Sequence, residues 1–149
     1  MTPALRETLV AVASQASDAA DPWWIIGSAA VALVGGAVTN VGDVDLLMAP
    51  ADASRFLRRL GSVSVCREPD PLFRSDIFGT WNDPPLTVEV FAGFCYFSSG
   101  SWRPVWPITR VGVAVENQTL FVPSANELKA LLLGFGRAKD MARAALMPA

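Results

Sequence analysis

Trp23-Trp24-Ile25-Ile26-Gly27-Ser28-Ala29-Ala30-Val31-Ala32-Leu33, followed by Gly42-Asp43-Val44-Asp45-Leu46-Leu47-Met48, is the stretch that decides the fold. A short apolar run that stops at Gly-Ser and gives way to alanine-rich sequence reads as strand, tight turn and helix. Asp43 to Met48 alternates and then turns wholly apolar, which reads as a second strand, stopped by Pro50. Asp43 and Asp45 are two residues apart, so a strand turns both to one face and Val44 and Leu46 to the other.

Working outward, Pro3 to Ser17 is a helix with Thr2 as N-cap, Pro3 in the tolerated first turn and an apolar stripe of Leu5, Leu9, Val12 and Ala16. Asp52 to Leu60 forms another, with Phe56, Leu57 and Leu60 inward, Arg55, Arg58 and Arg59 outward, and Gly61 as its stop signal. Val63 to Cys66, Leu72 to Trp81 and Leu86 to Phe91 are strand candidates. Phe94 to Pro107, rich in aromatics and proline, reads as an irregular covering segment. Val111 to Val115 and Thr119 to Val122 make a hairpin. Ser124-Ala125-Asn126-Glu127 is a capping box that opens a last helix running to about Leu146, loosened by Gly134 and Gly136. The expected class is α/β (α+β), a mixed, partly antiparallel sheet with flanking helices. With no repeat or linker, one domain is expected over residues 1–149.

Composition narrows the function. At 149 residues, 52% hydrophobic and 17% charged, the chain holds enough apolar material for a core and too little charge for disorder. Mean hydropathy is +0.35, but Pro, Gly, Asp or Arg interrupts every apolar run before the ~20 residues of a membrane span. A formal charge of −2 with no basic concentration argues against sequence-specific binding of duplex DNA. The N-terminus lacks a basic segment followed by an apolar core, so a cytoplasmic location is expected. Cys66 and Cys95, without CxxC spacing, read as buried thiols, with a disulfide as the alternative. The chain has no histidine, which removes Ser-His-Asp and Cys-His catalysis and zinc-hydrolase ligand sets.

Chemistry therefore rests on carboxylates, hydroxyls, Lys, Arg and metal. Glu89 lies in Leu86-Thr87-Val88-Glu89-Val90-Phe91, opposite two valines that face a core. Burying an unpaired carboxylate costs several kcal/mol, so Asp43, Asp45 and Glu89 meeting on one sheet surface call for a cation. Oxygen ligands alone suit Mg²⁺ or Mn²⁺. Gly27-Ser28, where a strand ends and a helix begins, favours an anion such as phosphate. The two features together suggest a nucleoside triphosphate.

On these residues the chain resembles a family. Ile25-Ile26-Gly27-Ser28 with Asp43-Val44-Asp45-Leu46 is similar to the first motif of the nucleotidyltransferases with the DNA polymerase β-like fold, and Val88-Glu89-Val90 resembles their third-acid strand. Val122 to Lys129 with Gly136-Arg137-Ala138-Lys139-Asp140 resembles the closing helix of minimal nucleotidyltransferases, including the AbiEii-type toxin branch. The resemblance implies that Asp43, Asp45 and Glu89 are catalytic and hold two Mg²⁺ ions. It also implies that Gly27 and Ser28 hold the β- and γ-phosphates of an NTP, and that an acceptor hydroxyl attacks its α-phosphorus. Lys139 is the candidate for a further triphosphate contact. The acceptor is an RNA end, a protein or a small molecule, and a protein partner within a toxin–antitoxin pair is a further expectation. Gly42 stands where many members have Ser or Thr, neutral residues replace an Arg before the first acid, and the third acid is Glu instead of Asp.

Each residue also has a plain structural reading. Asp43 after Gly42 is a turn residue, Glu89 an exposed position on an edge strand, and Gly27-Ser28 an ordinary helix start. Lys139 is a cation near a helix end, and Arg137 pairs with Asp140 one turn away. Trp23 and Trp24 pack the core. Two functions compete: an Mg²⁺-dependent nucleotidyltransferase, and a catalytically weakened member that keeps the fold as a binding or regulatory module.

Overall fold

The computed structural model describes residues 1–148. Helix α1 (Pro3–Ala16) is capped as expected, with Thr2 Oγ1 accepting from the Leu5 N–H. The strand–turn–helix unit is β1 (Trp24–Ile26) followed directly by α2 (Gly27–Leu33), and β2 (Asp43–Leu47) runs back beside β1. After α3 (Pro50–Arg59) come β3 (Phe73–Arg74), β4 (Ile77–Trp81) and β5 (Thr87–Ala92). The hairpins β6 (Cys95–Ser98) with β7 (Ser101–Pro104) and β8 (Val111–Val115) with β9 (Gln118–Val122) precede α4 (Ala125–Phe135) and α5 (Ala138–Ala145).

The central sheet has the order β1-β2-β5-β4, with β2 and β5 parallel and the outer pairs antiparallel, so it is mixed. One face carries Ile25, Val44, Leu46, Val88 and Val90, all without solvent exposure. These pack with the apolar stripes of α1 and α3 and with Val115, Leu120 and Val122 of the second hairpin. The other face forms a smaller aromatic cluster of Trp24, Ile26, Leu47, Phe78, Phe91 and Phe94. Period-2 alternation thus separates a buried aliphatic layer from a face on which Asp43, Asp45 and Glu89 stand beside aromatic rings.

The structure departs from the sequence reading in six places. Leu72 to Trp81, expected as one strand, is β3 and β4, which belong to different sheets. Val63 to Cys66 is not a strand: it makes one bond to the sheet, Val65 N–H to the Phe78 carbonyl at 2.8 Å, and Val63 and Val65 are 73% and 49% exposed. Cys66 is therefore exposed and Cys95 only half-buried, both as free thiols. Phe94 to Pro107, expected to be irregular, holds the β6–β7 hairpin. Its turn residues Ser99 and Gly100 both have positive φ, at 52° and 81°, the combination that matches strand twist in two-residue hairpins.

The last helix is two, because Gly136 takes a left-handed φ of 73° and closes α4. Only half of the Ser124 capping box forms. Ser124 Oγ accepts from the Glu127 N–H at 3.2 Å, whereas the Glu127 carboxylate turns to the N–H groups of Ile108 and Thr109, both at 2.8 Å. A neighbouring loop offers two donors where the helix start offers one.

Asp52 ties α3 to the segment after α1. Its carboxylate, 3% exposed, accepts from the Ala20 N–H at 3.0 Å and the Asp21 N–H at 2.9 Å, and from Arg55. Burial acts to raise its pKa, but the two amides and the guanidinium outweigh it and hold the carboxyl below the usual range. Asp52→Ala should cost about 1–2 kcal/mol in urea unfolding, since two N–H groups lose a charged acceptor that water only partly replaces. A depressed folded pKa contributes stability above the unfolded value of about 3.9, and this is lost as pH falls through the folded value. Stability should therefore fall less steeply below about pH 4 in Asp52→Asn than in the unaltered protein.

Candidate active site

Parallel pairing of β2 with β5 sets Asp43 beside Thr87 and Asp45 beside Glu89. Antiparallel pairing with β1 sets Ile26 opposite Asp45, so the chain leaves β1 at Gly27 next to that carboxylate. A Cβ on Gly27 would lie 2.6 Å from Asp45 Oδ2, and its φ is +70°; both conditions require glycine. β5 is an interior strand of the sheet, which removes the edge-strand reading of Glu89.

Carboxylate oxygens of Asp43, Asp45 and Glu89 all lie within 4.8 Å of one another. They open into a cavity of about 250 Å³ that is also lined by Gly27, Ser28 and Lys139. All six site residues named from the sequence thus border one space. Burial pushes Asp45 well above the ordinary carboxylate range, and the charges of Asp43 and Glu89 add to the effect, with Arg143 opposing. Glu89 is raised as well, first by burial and then by Asp43, while a hydrogen bond from Asp45, Arg67 and Lys139 act against the shift. Asp45 Oδ1 is buried with no hydrogen-bond partner. An orphaned buried acceptor inside a cluster of three hard oxygen donors fits a divalent cation, which would satisfy the oxygen and relieve the repulsion together.

Sequence reasoning missed two cations. Arg67 and Arg143 line the cavity together with Arg137 and Lys139. Arg143 was detectable, since it follows Lys139 at i+4 and shares its helix face. Arg67 had no local signal: it follows the Val63 to Cys66 segment on an irregular connector, its guanidinium 4.1 Å from the Phe78 ring centroid.

The pairing of Arg137 with Asp140 is present and more extensive than expected. Asp140 is fully buried. It accepts from Arg137 Nε at 2.6 Å, from Nη2 at 2.9 Å and from the Arg137 N–H at 3.3 Å, with Arg143 Nη1 at 3.9 Å. Arg137 also lies over the Phe73 ring at 4.6 Å.

No protein-family model and no curated protein matches the chain in sequence. Solved structures match its fold. A Thermotoga maritima protein, whose assignment as a nucleotidyltransferase is itself inferential, superposes with TM-score 0.77 at 18% identity, covering 95% of this chain and 91% of that one. The antibiotic-resistance factor ANT(2″)-Ia superposes with TM-score 0.57 at 14% identity in a solution structure, covering 93% of this chain and 82% of that one. In its crystal complex with adenylyl-2″-tobramycin it superposes with TM-score 0.56 at 14% identity, over 93% and 87% of the two chains. The chain shares the fold of these structures.

Crowding at Gly27 can be separated from its backbone geometry. Gly35 also has a left-handed φ, +91°, but a Cβ there would meet nothing within 4 Å. Gly35→Ala should cost about 1 kcal/mol in urea unfolding, and Gly27→Ala about 1–3 kcal/mol more, because the methyl group displaces the Asp45 carboxylate.

Proposed function

We propose that the protein is a nucleotidyltransferase that moves an NMP from an NTP to an acceptor hydroxyl. The observation that carries this reading is the convergence of Asp43, Asp45 and Glu89 beside Gly27, with one buried carboxylate oxygen left unpaired. Mg²⁺ or Mn²⁺ held by these three acids would supply Lewis-acid stabilisation of charge on the reacting phosphoryl group.

Charge in the cavity supports a strongly anionic substrate that arrives with cations. Four acids, Asp43, Asp45, Glu89 and Asp140, face four bases, Arg67, Arg137, Lys139 and Arg143, so with cations holding the acids ionised the formal charge of the walls is zero and they cannot balance a triphosphate alone. Lys139 and Arg143 offset phosphate charge from α5, Arg67 does so from the opposite connector, and Gly27 lets the chain approach the ligand closely. The acceptor oxygen attacks the α-phosphorus, the bond to the bridging oxygen breaks, and pyrophosphate leaves with that electron pair. The acceptor proton passes to Glu89, the carboxylate that β5 sets directly beside Asp45.

Two measurements test this. Mn²⁺ should raise the thermal midpoint of the unaltered protein and leave that of Asp45→Asn unmoved. Incubation of α-labelled NTPs with Mg²⁺ and a panel of total RNA, total protein and small hydroxyl compounds should give a labelled product, reduced roughly 100-fold or more in Asp45→Asn. Undiminished labelling by that variant would overturn the assignment. NTP binding without turnover, unaffected by the substitution, would favour the binding-module function.

A further inference from the structure

The catalytic cavity has an aromatic end. On β5, Phe91 follows Glu89 by two residues, so the same face of the sheet passes from acid to aromatic within about 7 Å, a distance that a ribose spans between its 5′-phosphate and its base. Phe73, Phe94 and Phe135 border the cavity with Phe91. Phe94 and Phe73 are stacked, their centroids 5.4 Å apart and their planes 25° from parallel, and the Arg137 guanidinium lies over Phe73 at 4.6 Å. Among the described residues no second ring lies against that guanidinium, so the planar groups end at Arg137, with a face open to the cavity that it borders.

How Arg137 is held decides what that face receives. Asp140 accepts from its Nε at 2.6 Å and its Nη2 at 2.9 Å, which occupies an edge through which a guanidinium grips a phosphate with two parallel bonds. These bonds lie in the guanidinium plane and leave its faces clear. A guanidinium face is a stacking surface for a planar heteroaromatic ring. We propose that Arg137 carries the nucleobase of the NTP, stacked on its open face, and that the base is selected by ring size. Reading a base by its edge takes a side-chain amide, a hydroxyl or an arginine fork. Among the described residues no amide side chain borders the cavity, and its one hydroxyl, Ser28, follows Gly27 at the acid end. The Arg137 fork is engaged by Asp140, and Arg67 on the opposite wall offsets phosphate charge. Adenine and guanine therefore bind alike, and both bind more tightly than uracil and cytosine. The assignment rests on the transferase reading, since it takes the α-phosphate to lie at Asp43, Asp45 and Glu89.

Calorimetric titration of the unaltered protein, with Mg²⁺ present, compares the α,β-methylene analogues of ATP, GTP, CTP and UTP with ribose 5-triphosphate, the probe that lacks a base. Stacking of one base changes affinity roughly 5- to 100-fold, so the purine analogues should bind at least about tenfold tighter than ribose 5-triphosphate, with the pyrimidines between. Arg137→Lys keeps the charge and removes the plane. It should bring all four analogues down to the affinity of ribose 5-triphosphate and leave binding of ribose 5-triphosphate in place. If that variant fails to fold, the order on the unaltered protein decides alone. Analogues no tighter than ribose 5-triphosphate, a pyrimidine bound as tightly as a purine, or a preference beyond roughly tenfold between adenine and guanine overturns the stacking assignment and leaves the transferase reading standing. So does an Arg137→Lys protein that loses ribose 5-triphosphate to the same degree, because phosphate is then what Arg137 holds. If none of the five probes binds, the transferase reading falls and the assignment falls with it.

Discussion

The register of two parallel strands governs this molecule. β2 and β5 lie side by side with Val44 against Val88 and Leu46 against Val90 on one face, and these side chains have no exposure. A slip of β2 by one residue would turn Val44 and Leu46 to the cavity and Asp43 and Asp45 into the core, so burial of the aliphatic layer fixes where the acids stand. Hydrophobic burial on one face thus holds together, on the other, charges that repel one another. The repulsion is visible in the raised pKa values of Asp45 and Glu89, whose first cause is burial and whose second is a neighbouring carboxylate.

Much of this was readable from the sequence because it is encoded in local period. Asp43 and Asp45 on alternating positions, Glu89 between two valines, and Gly27 at the end of an apolar run each announce a face or a turn, and the structure borders one cavity with them. What failed was long-range or compensated. The β6–β7 hairpin was hidden because its turn is Ser99-Gly100 and its strands are aromatic and proline-bearing. Val63 to Cys66 has strand composition but lacks a ladder partner, since β4 takes only one bond from it. The Ser124–Glu127 pair has capping-box spacing, but the loop at Ile108 and Thr109 competes for the glutamate.

The basic side of the cavity was the least legible part. Gly136 looked like a weak point in one helix, yet its left-handed geometry redirects the chain and gives α5 an axis of its own. Arg137, Lys139 and Arg143 then reach the same cavity from a single short helix. Arg67 joins them from a connector without regular structure, held by the rings of Phe78 and Phe91. Helical spacing finds residues on one element; stacking of a cation on an aromatic floor built from distant strands leaves no periodic trace.

Asp140 has a consequence for how this wall would meet an anion. With its carboxylate sealed from solvent and engaged by Arg137 at three points, the arginine's rotamer is set before anything enters. A flexible surface arginine gives up side-chain freedom on contact, on the order of 0.5–1.5 kcal/mol. Here that loss has already been met during folding, so an incoming ligand finds a donor array that does not have to be organised at its expense.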